Sequence, residues 1–119
     1  MIKLYNDDCL EAMKKIPDGS IDMILCDPPY GCTSRNKWDV IIPFEALWKQ
    51  YERIIKDNGA IVLFGKQPFT SMMILSNSKM YKYNLVWRKN LKSGNLNARK
   101  NANGCIRRHY GFLQKTTDI

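Results

Sequence analysis

Ile21-Asp22-Met23-Ile24-Leu25-Cys26-Asp27-Pro28-Pro29-Tyr30 is the stretch that decides the fold. Its first six residues form a short, apolar, partly β-branched run bounded by turn residues, the pattern of a buried strand. Asp27-Pro28-Pro29-Tyr30 then falls at the strand's C-terminal end, where open α/β sheets place their ligands. The two prolines fix φ, remove two backbone donors and push Asp27 towards an extended conformation. What results is a stiff turn offering a carboxylate, carbonyl acceptors and an aromatic ring. Such a set suits a flat group that carries an exocyclic amine. At average residue usage the tetrad arises by chance in a chain this long roughly once in a few thousand sequences. It is therefore read as a site, against the plain alternative of a proline-stiffened turn with a buried tyrosine.

Outward from this strand the pattern alternates between strand and helix. Ile2-Lys3-Leu4-Tyr5 alternates and predicts a first strand. Asp8 reads as the cap of a short helix, with Glu11 completing a D-x-x-E pattern and Leu10, Met13 and Ile16 facing inward. Residues 31–42, polar at their start, predict a loop over the site. Pro43 opens the next helix, in which Phe44, Leu47, Trp48, Tyr51, Ile54 and Ile55 share a face, and Asp57-Asn58-Gly59 stops it. Ala60 to Phe64 reads as a strand covered on both faces. Gln67 to Ser76 reads as helix, with Met72, Met73 and Leu75 in the core, and Tyr83 to Lys89 as a further strand. This alternation predicts an α/β fold, a doubly wound sheet of parallel type flanked by helices. From Ser93 onward no period stands out.

Composition sets the bounds. With 119 residues and 45% hydrophobic content the chain forms one domain with a core. Cys9, Cys26, Cys32 and Cys105 have no C-x-x-C spacing and one histidine beside them, which argues against a zinc site and for reduced cysteines in a cytoplasmic protein. No stretch reads as a signal peptide or membrane span. The net charge of +8 is uneven: residues 1–80 hold ten Lys/Arg against ten Asp/Glu, and residues 81–119 nine against one. Lys82, Arg88, Lys89, Lys92, Arg99 and Lys100 interleave with Tyr81, Tyr83 and Trp87, a pattern suited to phosphates and unstacked bases. A solvated basic face is the simpler reading of the charge alone.

The tetrad resembles the catalytic motif of the amino-group DNA methyltransferases, which modify adenine N6 or cytosine N4. Asp rather than Ser in first place is similar to the adenine-N6 branch. The resemblance continues through Asn6-Asp7-Asp8-Cys9-Leu10-Glu11, Gly19-Ser20-Ile21-Asp22, Trp38-Asp39, Leu47-Trp48, Asn58-Gly59-Ala60-Ile61-Val62-Leu63-Phe64, Gln67-Pro68-Phe69-Thr70 and Leu85-Val86-Trp87-Arg88-Lys89. It covers residues 1–100 and looks like the N-terminal half of a β-type enzyme, in which the catalytic motif precedes the cofactor motif. It implies a Rossmann-like fold that uses S-adenosylmethionine, with DNA as partner. A base inside a duplex is unreachable, so such enzymes flip it into a pocket. The resemblance gives Tyr30 the role of stacking on the flipped base. It gives the Asp27 carboxylate and the Pro28 carbonyl, held by Pro29, the role of accepting bonds from its amine. Trp38 or Phe69 could supply a second wall, or simply pack. Asp8 has two compatible readings, a contact to the cofactor's adenine or a helix cap alone.

One part of the family pattern is missing. The cofactor's amino acid moiety needs a strand followed by an F-x-G-x-G turn, and this sequence has none: Leu63-Phe64-Gly65-Lys66 offers a single glycine and Gly94 stands alone. Residues 101–119 also leave the pattern. Back-translated and moved by one base, Asn101 to Phe112 permits the family-like M-P-M-G-V-Y-E-D-I-M-V-F, and Arg99-Lys100-Asn101 can be encoded as a run of adenines. The expectation is a partial catalytic domain at 1–100 and an out-of-frame tail at 101–119, against an ordinary divergent terminus. A sheet lacking strands leaves an open edge and a bare apolar face, hence a tendency to self-associate or to take a complementary C-terminal half.

Overall fold

The structure, a computed structural model, describes residues 1–32, 36–87 and the backbone of 108–114. Asp8 caps the first helix, α1 (Cys9–Met13), its carboxylate accepting from the Leu10 amide at 2.8 Å. Glu11 does not close a capping box. It pairs with Lys14 at 2.7 Å, and the Asp8 amide donates instead to the Asp7 carboxylate at 2.8 Å. Ile2–Tyr5 is not a strand: Ile2 is 88% and Leu4 91% exposed. Alternation over four residues forms no ladder without a neighbouring strand, and none lies beside it among the described residues.

The tetrad's strand, β1 (Ile21–Cys26), runs parallel to β2 (Ile55–Gly65), and α2 (Phe44–Ile54) connects them. Leu47, Trp48, Tyr51 and Ile54 bury the predicted face of α2. The helix does not continue to Asp57-Asn58-Gly59. Its chain turns straight into β2 at Ile55, and those three residues lie within the strand. Ile21 pairs with Ile55 and Met23 with Ala60, so β2 bulges between the two pairs. Gly59 makes the bulge possible, since a Cβ there would sit 2.6 Å from Ile55 Cγ1 and 3.0 Å from the Asp22 carbonyl. Arg53, near the end of α2, donates to the Met13 and Ile16 carbonyls at 2.7 and 2.8 Å and to Asp18 at 2.6 Å. It thereby ties the end of α2 to the turn that follows α1.

Beyond β2, α3 (Phe69–Ser76) leads to β3 (Tyr81–Trp87), two residues earlier than the pattern suggested. Of its apolar residues Met73 is fully buried, whereas Met72 and Leu75 face outward. A fourth strand, β4 (Arg108–Gln114), lies where no element was expected. The order is β1-β2-β4-β3, with β4 antiparallel to both neighbours. Hence β1, β2 and β3 point the same way.

The α/β class holds, but the sheet is covered on one face. Ile24, Cys26, Ile61, Leu63 and Tyr81 pack with Met13, Leu47, Trp48, Tyr51, Phe69 and Met73 in one core beneath α1, α2 and α3. On the opposite face Met23, Leu25, Tyr83, Leu85 and Trp87 are each about half exposed, and no helix covers them among the described residues. β1 is therefore half-exposed, not the buried strand its apolar run predicted. No helix among the described residues is long and apolar enough to cross a membrane.

Candidate active site

β1 ends at Cys26 and the tetrad follows as a turn, with Pro28 buried, Pro29 and Tyr30 half-buried and Asp27 exposed. The Tyr30 hydroxyl donates to Asp27 Oδ1, so the carboxylate is held by the residue that carries the ring. Phe69, at the start of α3 and 3% exposed, backs the Tyr30 ring with centroids 5.2 Å apart, and Phe44 backs Phe69 at 5.8 Å. These contacts set Tyr30 from behind through the elements that follow β1 and β2.

Immediately after Tyr30 the backbone turns through Gly31 at φ +68°, a left-handed conformation that favours glycine. The Gly31 amide donates to Asp39 Oδ1 at 2.8 Å. Asp39 is 8% exposed, and Trp38 beside it is 71% exposed. Asp27, Pro28, Pro29, Tyr30, Cys32, Trp38 and Asp39 line one open cleft of about 330 Å³. It presents carboxylates and aromatic rings together, the chemistry expected of a site for a planar amine.

The start of α1 meets this end of the sheet. Burial, then the Asp8 carboxylate and the Cys26 thiol, push the Cys9 thiol up. Burial also raises the Cys26 thiol, against a hydrogen bond with Tyr51 that lowers it, and Asp27 raises it further. Cys9 and Cys26 are thus neighbours, and Asp8 and Asp27 each adjoin one of them. Burial drives the Tyr51 phenol strongly upward, so the group under the strand's end stays protonated.

Lys82 is exposed on β3, while Arg88, Lys89, Lys92, Arg99 and Lys100 lie outside the described residues. Tyr81 belongs to the core and is no stacking platform. Trp87 closes β3 at the tetrad's end of the sheet, its ring 6.3 Å from Phe64. Of the two candidate second walls, Phe69 is packing behind Tyr30 and Trp38 lines the cleft. The role of Asp39 was not read from the sequence. A hydrogen bond spanning eight residues leaves no local signature, and the only pointer was its place in a family-like Trp-Asp pair.

The family model described as the RMKL-like methyltransferase domain matches residues 4–93. The chain belongs to this family. Among curated relatives it is 32% identical over 71 residues to the Type II methyltransferase M.BamHI of Bacillus amyloliquefaciens, covering 52% of this chain and 17% of that protein. It is 31% identical over 110 residues to the Type II methyltransferase M2.MboI of Moraxella bovis, covering 72% and 40%. Among solved structures, M1.HpyAVI in its complex with SAM superimposes with a TM-score of 0.70 at 21% identity, over 98% of this chain and 55% of that one. The methyltransferase resemblance read from the tetrad is borne out, as is the fold. The chain spans less than half the length of these two curated relatives and about half of the solved one.

Proposed function

We propose that this RMKL-like domain is the base-holding part of a DNA methyltransferase acting on adenine N6. The observation that carries the reading is the cleft at the end of β1, where Asp27, Pro28, Pro29 and Tyr30 meet Trp38 and Asp39. A flipped adenine would stack on Tyr30 while its amine donates to Asp27 and to the Pro28 carbonyl. Those bonds draw the nitrogen towards sp³ and direct its lone pair outward. No strong base is required beforehand, because the proton becomes acidic only as the new bond forms. Positioning and electrostatics then supply the rate. Asp in first place of the tetrad supports adenine, and Lys82 with the basic residues after β3 supports DNA.

S-adenosylmethionine, the proposed methyl donor, would supply a methyl group on a sulfonium centre. The residues present fit it only in part: Asp8 caps α1, whose first residue Cys9 interacts with Cys26 at the end of β1, but F-x-G-x-G is absent from the sequence. The residues of this sequence would thus hold the base, and the glycine turn would come from outside them, whether from the same polypeptide or from a complementary half in the cytoplasm. A shifted reading frame after Lys100 would account for the departure of residues 101–119 from the family pattern. The pairing of Arg108–Gln114 between β2 and β3 favours an ordinary terminus. Sequencing the coding DNA through codons 99–101 and downstream decides between them.

The test is transfer of labelled methyl groups to DNA by the full chain, alone and mixed with a polypeptide bearing F-x-G-x-G. Transfer in the mixture that vanishes with Asp27→Ala is the expected result. Robust transfer by the chain alone would place the whole cofactor site within it. Salt-sensitive DNA binding that ignores Tyr30→Ala would instead favour a non-catalytic DNA-binding role.

A further inference from the structure

We propose that Asp39 is a positioning residue that sets both aromatic walls of the cleft, Tyr30 and Trp38, through one hydrogen bond. The inference rests on the base-holding reading and names what makes the slot. Asp39 is 8% exposed, and a carboxylate is costly to bury unless its oxygens are engaged. Oδ1 accepts from the Gly31 amide at 2.8 Å, bridging eight positions of chain. Gly31 directly follows Tyr30, and Trp38 directly precedes Asp39, so the bond ties together the backbones from which the two rings project.

Two further observations show that the tie is built rather than incidental. Gly31 holds φ +68° and comes so near the Ile41 side chain that a Cβ would lie 2.8 Å from Ile41 Cγ1. The bond therefore forms where residues 31 and 41 are already pressed together. Asp39 is also fixed from its own side, its amide donating to the Asn36 carbonyl at 3.1 Å. Phe69 occupies the rear of Tyr30, and Trp38 is the other aromatic side chain that lines the cleft. A planar base would enter between the two.

The experiment uses the full chain and reads the tie and the slot separately. Hydrogen exchange at the Gly31 amide reads the tie without any ligand. Fluorescence quenching of an oligonucleotide carrying 2-aminopurine in place of the target adenine reads the slot. Asp39→Asn, whose amide oxygen still accepts, should keep both signals. Asp39→Ala should lower Gly31 protection and weaken the quench, each by about tenfold or more, as for loss of a hydrogen bond to a charged group. Trp38→Ala, at an exposed position, should weaken the quench at an unchanged Tm. Wild-type protection and quench retained in Asp39→Ala would overturn the proposal, as would an unprotected Gly31 amide in the wild-type chain. The last two measurements stand even if Asp39→Ala fails to fold. A wild-type chain that does not quench the probe defeats the base-holding reading, while Gly31 exchange still decides the tie.

Discussion

Tyr30 is tied on three sides: its hydroxyl to Asp27, its ring to Phe69, its following amide to Asp39. The sequence foreshadowed the nearness of Asp27 and Tyr30, which share the tetrad, and offered Phe69 as a wall or a packing residue. The tetrad itself was legible since prolines and turn geometry are local properties. The Asp39 bond was not, since it joins backbone eight residues apart. Gly31 gives the sharpest residue-level prediction. Gly31→Ala demands a left-handed alanine, costing about 1–2 kcal/mol by itself, with a methyl 2.8 Å from Ile41 Cγ1 in addition. We expect a lowered midpoint in urea unfolding and a disturbed Tyr30 ring signal. Trimming Ile41 to alanine should recover the steric part and not the conformational part.

At the scale of elements, α2 was legible from its helical period and β1 from its apolar run, although that run predicted a buried strand and β1 is half-exposed. What escaped was decided by neighbours. Ile2–Tyr5 had the alternation of a strand and no ladder to join. The end of α2 was misplaced because Asp57-Asn58-Gly59, a strong turn signal, is used as a bulge inside β2. β4 escaped because residues 108–114 are broken by Gly111 and flanked by basic residues, so no period of two emerges. The junction of α1, β1 and α2 carries a pH prediction. Burial raises the Cys26 thiol above its ordinary 9.0 and the Tyr51 phenol far above its own. Both groups are protonated in fold and unfolded chain below about 9, so their contribution is intact there. As pH rises past that value the unfolded chain ionises first, and stability falls. Melting points should drop as pH rises from about 8.5 to about 11, through the ordinary thiol and phenol values. Tyr51→Phe should flatten that slope; an unchanged slope in the variant would remove Tyr51 as its source.

For the whole molecule, the consequence of placing every described helix on one side is an apolar face of Met23, Leu25, Tyr83, Leu85 and Trp87 open to water. Contiguous apolar surface of this kind marks interaction or aggregation. We expect concentration-dependent sedimentation of the isolated chain, suppressed in the double variant Leu25→Lys, Trp87→Lys with no loss of helical signal. A monomer at all concentrations would count against this expectation. The bare face was anticipated in the sequence from the missing half of the family pattern, although which side chains form it emerged only from strand register. The strand order also makes β1 an outermost strand among the described residues, and the tetrad hangs from its end. A segment that zips onto the outer edge of β1 would narrow the motions of Asp27 and Tyr30. Thermodynamic reciprocity then requires a base held by those residues to strengthen the grip of that segment by the same factor. Assembly and substrate capture would behave as the two inputs of one logical gate, each weak until the other is present.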